Sequence, residues 1–177
     1  MATRYSRLSI ALHWTMALAI GAAWLIGQVM EDMPRGPDKM VALGSHALVG
    51  LAVAALLLPR LLARIVGPVP EDAGAPAWER RLAGAAHLLL YLLMLAVPLT
   101  GLAIAMSGRA PLPVLGLFEI PPLLSSLGLR KTLEGAHELL ANLLVGATVL
   151  HVAATLWHAL VRRDGVAARM LPRRWSA

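Results

Sequence analysis

The chain of 177 residues has no cysteine and a single phenylalanine. Without thiolates it can hold neither a cysteine-ligated iron–sulfur cluster nor a zinc–thiolate site, and it forms no disulfide. Charge is also scarce. Asp, Glu, Lys and Arg make up 15% of the residues, where soluble domains carry about 25%. Acidic residues are the rarer kind, 10 against 16 basic, for a net charge of +6. No glycine fingerprint for nicotinamide or flavin is visible. What is abundant is apolar: 58% of the chain, with a mean hydropathy of +0.69. Soluble domains rarely exceed about half. The composition excludes a soluble enzyme and predicts an all-α integral membrane protein over residues 1–177 as one unit.

Four apolar runs can cross a bilayer: residues 8–30, 40–66, 82–106 and 133–161. Each reaches the roughly 20 residues that a membrane core requires, so the expected architecture is a four-helix bundle. The first run is too long for a signal-peptide core and lacks a small-x-small cleavage site, so it reads as a retained helix. Pro98 and Gly101 predict a kink or local unwinding in the outer half of the third run. The links carry turn residues at 34–37, 67–70 and 111–122, and the apolar stretch Leu123 to Leu129 reads as a short interfacial helix.

Orientation follows the basic residues. One side holds Arg4, Arg7, Arg60, Arg64, Arg80, Arg81, Arg162, Arg163, Arg169, Arg173 and Arg174, and the other Arg35, Lys39, Arg109, Arg130 and Lys131. Eleven against five predicts both termini in the cytoplasm and a multi-pass protein of a bacterial inner membrane. Trp14, Trp78 and Trp157 fall at the same ends, as interfacial anchors do. A sequence pI near 11 would suggest nucleic acid in a soluble protein. Here the arginines flank apolar spans, so lipid headgroups and topology account for them and no nucleic-acid partner is expected.

All six histidines, His13, His46, His87, His137, His151 and His158, lie inside the four spans. One imidazole in a span is commonly a satisfied interhelical hydrogen bond; six, with every span contributing, point to ligands facing the bundle interior. His137 and His151 are fourteen residues apart, close to four helical turns. They share a face and stand roughly 21 Å apart along the axis. That spacing suits two stacked metal centres, haems before bare ions, hung from one helix. By depth, His46 and His137 pair about 10 Å inside the outer edge. The inner half holds four histidines, and His151 is the deepest. Its partner is His13 or His87, and depth does not separate them. His158 continues the His151 face, so the leftover pair also points inward. Gly21, Gly50 and Gly146 lie near these histidines and offer gaps for a flat macrocycle, although small residues also serve simple helix packing.

The segments Ala11-Leu12-His13-Trp14, His46-Ala47-Leu48-Val49-Gly50, Ala86-His87-Leu88-Leu89-Leu90-Tyr91, His137-Glu138 and His151-Val152-Ala153-Ala154 resemble, in order and spacing, the bacterial cytochrome b561 family. The resemblance covers nearly the whole chain. It implies a four-helix bundle with two b-type haems, each between two histidines, exchanging electrons with quinone. It assigns His13 with His151 to the cytoplasmic haem and His46 with His137 to the periplasmic haem, as axial ligands of the iron. It leaves His87 and His158 facing a ubiquinone, with Arg80 and Arg81 close enough to stabilise the anion formed on reduction. Part of the family oxidises superoxide and reduces quinone. That reaction gains from a basic entrance, for which Arg130, Lys131 and Lys39 are the candidates, although Glu31, Asp32, Asp38, Glu119, Glu134 and Glu138 share that side. The alternative is an electron-transfer subunit that links a hydrogenase, a dehydrogenase or another periplasmic donor to the quinone pool. A third reading is a haem-free, histidine-lined metal or proton transporter.

Overall fold

A computed structural model describes residues 4–68, 75–125 and 127–171. Helix α1 (Arg7–Glu31) starts where Ser6 accepts the Ser9 amide at 3.1 Å, satisfying one of the amides a helix start leaves open. Helix α2 (Pro37–Val66) opens on proline, whose missing N–H costs nothing in the first turn, and carries Asp38 there and Arg64 in the last turn, both matching the helix dipole. Helix α3 (Ala77–Met106) ends at Ser107, and α4 spans Leu127–Trp157. At about 1.5 Å per residue the 25 to 31 residues of each exceed a bilayer core.

Antiparallel neighbours pack in sequence order, α1 on α2, α2 on α3 and α3 on α4. The buried apolar core is small: Met16, Val53 and Leu57, with Ile20, Tyr91 and Met94 against them. Leu18, Leu58, Leu88 and Leu150 point outward and are each at least 60% exposed. Within the most apolar stretch of each span, only 6–17% of residues are buried inside the chain. This outward apolar surface has lipid as its natural solvent. The protein is a multi-pass helical membrane bundle.

The spans match the sequence expectation with three differences. Helix α3 begins at Ala77 and α4 at Leu127, several residues earlier than the apolar runs, because polar residues continue a helix beyond the lipid. Helix α3 also runs unbroken through Pro98 without unwinding. No interfacial helix forms over Leu123 to Leu129: residues 121–125 have no regular structure, residues 127–129 belong to α4, and Ser126 lies outside the described residues. A small hairpin precedes it, β1 (Leu112–Val114) antiparallel to β2 (Phe118–Ile120). Its turn carries Leu115 and Gly116 at φ 51° and 73° and closes from the Leu117 amide to the Val114 carbonyl at 2.9 Å, the backbone of a type I′ turn. The hairpin lies on α2 at Gly44, where a Cβ would come within 2.7 Å of the Pro113 carbonyl.

The opposite end gathers both terminal segments. Trp14 Nε1 donates to the Met170 carbonyl at 2.9 Å, and the Tyr5 amide donates to the Arg169 carbonyl. After α4 the chain makes a π-helical turn, His158–Arg162, and reverses through Arg163 and Gly165, both at positive φ. Arg173 and Arg174 lie outside the described residues.

Candidate functional site: paired histidines in both halves of the bundle

In the hairpin-end half, His46 of α2 faces His137 of α4, with ring centres 6.0 Å apart and planes at 77°. Each ring is held by the neighbouring helix. His46 Nδ1–H donates to the Ala23 carbonyl of α1 at 2.9 Å. His137 Nδ1–H donates to the Val97 carbonyl of α3 at 3.0 Å and to Thr100 Oγ1 at 3.0 Å. The Thr100 hydroxyl donates to the Ala96 and Val97 carbonyls, which leaves its oxygen to accept. With the proton fixed on Nδ1, Nε2 keeps its lone pair, the arrangement of a metal-ligating imidazole oriented by a carbonyl. Glycines make room for both rings. A Cβ on Gly101 would stand 3.1 Å from His137 Cε1, and one on Gly27 3.5 Å from His46 Cε1.

Both rings line a cavity of about 490 Å³ walled mainly by aliphatic side chains, within the 300–1,000 Å³ typical of cofactor-sized ligands. Gly50 opens onto it, and a Cβ there would meet nothing within 4 Å; the same holds at Gly21 and Gly146. Metal–nitrogen bonds are about 2 Å and ring centres lie roughly 1 Å behind the nitrogen, so imidazoles on opposite sides of one metal have centres about 6 Å apart. The separation, the free Nε2 atoms and the apolar cavity fit an axially ligated haem.

In the terminal-end half three rings meet. His151 of α4 lies 6.3 Å from His13 of α1 and 5.6 Å from His87 of α3, centre to centre. Both partners that depth left open are therefore adjacent to His151. Their surroundings differ. His87 lies near the backbone of Ala83, one turn back in its own helix. His13 Nδ1 instead accepts from Arg60 at 3.1 Å, and a second Arg60 nitrogen donates to the Ser9 carbonyl at 2.8 Å. Among the described residues no group of three or more His, Asp or Glu is arranged to hold a bare metal ion.

His158 stands apart from this cluster, on the π-helical turn. Its Nδ1 meets Asp164 Oδ2 at 2.5 Å, and Arg162 pairs with Glu79 of α3 at 2.6 Å while reaching Asp164 at 3.7 Å. Burial pushes the Asp164 carboxyl up, but hydrogen bonds from His158 and the Val166 amide, with the His158 and Arg162 charges, outweigh it and hold the group below its ordinary value. The unpaired-looking Asp164 was not singled out from sequence; the reversal at Arg163 that brings it back has no strong sequence signal. Arg80 is exposed and donates to the Ala75 carbonyl at 2.5 Å, and Arg81 is exposed.

The basic residues of the hairpin end divide similarly. Lys39 donates to the Glu31 and Met33 carbonyls and so ties off the α1–α2 link. Lys131 is exposed. Arg130 pairs with Glu134 at 2.9 Å, donates to the Ile104 carbonyl and lines the cavity. Arg109, from the end of α3, lines it too. Spacing from the histidines on their own helices could not find Arg109, because it lies in the link three residues past the end of α3.

Among known proteins the chain is similar to a probable superoxide oxidase CybB of Yersinia pestis, 30% identical over 175 residues that cover 98% of this chain and 99% of that one. It is 28% identical to cytochrome b561 homolog 1 of Escherichia coli K12 over 97% of this chain and 98% of the other. It is 31% identical to cytochrome b562 of Cereibacter sphaeroides over 94% of each. The family model described as prokaryotic cytochrome b561 matches residues 4–173. The match spans all four helices and all six histidines, and the chain belongs to the prokaryotic cytochrome b561 family of membrane electron-transfer proteins, whose cofactor is b-type haem.

Proposed function

We propose that the chain is a two-haem superoxide:ubiquinone oxidoreductase of a bacterial inner membrane, with both termini cytoplasmic. The observation that carries this reading is the placement of histidine pairs in both halves of one bundle, with His137 and His151 on the same helix. The outer pair borders a cavity that carries Arg109 and Arg130. The likeness to a probable superoxide oxidase supports the choice of donor.

His46 and His137 would hold one haem, and His151 with His13 the other, the choice of His13 over His87 following the family resemblance. Haem, when bound, supplies one-electron storage and transfer. A haem held by two histidines would have no site left for oxygen, which would favour electron transfer over oxygen binding. Arg109 and Arg130 raise the local concentration of a small anion at the outer face. Two superoxide ions give up one electron each and leave as dioxygen. One quinone takes both electrons with two protons from the cytoplasm to become quinol. His87 and His158 face the quinone. Asp164, ionised beside His158 Nδ1, orients that ring, so that the ring can donate a proton to a quinone oxygen and recover it from water.

Stopped-flow mixing of the oxidised protein with superoxide tests this. Rapid appearance of the reduced haem spectrum, followed with ubiquinone by quinol at one per two superoxides, is expected. No haem reduction would refute it. An electron-transfer subunit is the second reading. Its support is the exposed apolar hairpin tip, where Leu117 is 70% and Phe118 45% exposed, a surface on which a periplasmic donor protein could seat. Reduction only in the presence of such a donor would favour it.

A further inference from the structure

Arg60 is a guanidinium well inside α2, half-buried seven residues before its last turn closes at Gly67. Its contacts are the Ser9 carbonyl and His13 Nδ1, and Tyr91, Arg64 and Tyr5 act on it electrostatically. One turn outward, Arg64 donates to the Tyr5 hydroxyl and lies over the Tyr5 ring, 5.4 Å from its centre. Among the described residues neither arginine has a carboxylate partner; the ion pairs there join Arg130 to Glu134, His158 to Asp164, and Arg162 to Glu79 and Asp164. Two like charges one turn apart in a membrane-spanning helix, without a counter-charge among the described residues, are costly to keep. Arg60 bonds His13, and its charge acts on His87 and His151 as well.

The donor chemistry at His13 narrows the role. A guanidinium only donates, so a bond from Arg60 leaves the His13 proton on Nε2. An imidazole that ligates iron through Nε2 needs that atom free and its proton on Nδ1, as at His46 and His137. If His13 is a ligand, Arg60 must turn to another acceptor. If His87 is, Arg60 still stands beside the histidine cluster with no carboxylate partner among the described residues. A b-type haem carries two propionate carboxylates, and guanidinium–carboxylate pairing is the strong, geometrically matched form of this interaction.

We propose that Arg60, with Arg64 one turn outside it, forms the binding site for the propionate carboxylates of the haem ligated by His151. The inference needs a haem in this half but is independent of superoxide as the donor. A carboxylate beside the iron favours the ferric state; paired with arginine it does so less, so the arginines raise the potential of this haem alone.

The test is an equilibrium redox titration of the purified holoprotein without superoxide or quinone, combined with redox-difference infrared spectra of protein carrying haem labelled with ¹³C at the propionate carboxylates. Arg60→Gln should shift the reduction equilibrium of one haem toward ferric by about tenfold, which is 59 mV for one electron, and leave the other unchanged. The label-sensitive carboxylate bands should move. Arg60→Lys, which keeps the charge, should move both much less. If Arg60→Gln sheds haem, loss of one equivalent with full loading of Arg60→Lys supports the proposal, and equal loss from both variants overturns it. Unmoved carboxylate bands in Arg60→Gln and Arg64→Gln, or equal shifts of both haems, would also overturn it.

Discussion

The two halves of the bundle hold their histidines with different materials. Near the hairpin, His46 and His137 stand alone together, and each is fixed by neutral groups: carbonyls of Ala23 and Val97 and the Thr100 oxygen. Near the termini, His151 has two neighbouring rings, and one of them is bonded to a cation, Arg60. Neutral partners fix a tautomer without adding charge, whereas a cation changes both tautomer and potential. The hairpin-end pair is thus fixed by neutral hydrogen bonds and the terminal-end cluster by a cation as well.

The largest effects should come from removing rings that have no substitute. His46→Ala or His137→Ala should leave one haem per chain, measured by the pyridine haemochrome assay. The terminal half distinguishes its partners less sharply: His13→Ala should lose one haem, while His87→Ala keeps both and slows haem reoxidation by quinone. Haem loss in His87→Ala with His13→Ala fully loaded would reverse that assignment. Gly101→Ala places a methyl 3.1 Å from His137 Cε1, and should cost about 1–3 kcal/mol as overpacking, seen as a lower Tm and a perturbed spectrum of one haem only.

Asp164→Asn should slow reoxidation by quinone by about tenfold and leave both haem spectra unchanged. Because the Asp164 carboxyl is held below its ordinary value, its contact with His158 is present above that value and is lost as pH falls through the lowered one. The wild-type rate should therefore lose this contribution only at pH below the ordinary carboxylate range, and the Asn variant should lack that acid limb. The smallest effect belongs to surface charge. Arg130→Ala should reduce the superoxide rate severalfold at low salt and much less at high salt, while Lys131→Ala, exposed and away from the cavity lining, changes it less than twofold.

The spans were legible because lipid demands long apolar runs, and the approach of His46 to His137, and of His151 to His13 and His87, because depth and helical periodicity are linear in sequence. The orienting partners were not. Ala23 and Val97 act through backbone carbonyls, which every residue possesses. Arg60 read as one of many topology-setting arginines, although its distance inside the span sets it apart from those at helix ends. The hairpin was hidden by a Leu115–Gly116 turn in place of the usual Asn–Gly, and by strands of three residues. Asp164 reaches His158 only through a π-helical turn and a left-handed Arg163, neither of which the residue types announce.

The central claim is that each half of the bundle holds its own haem. The most direct measurement is haem per chain in the purified wild-type protein, set beside the same count in His137→Ala. Two b-type haems falling to one are predicted; a single haem per wild-type chain would contradict the account.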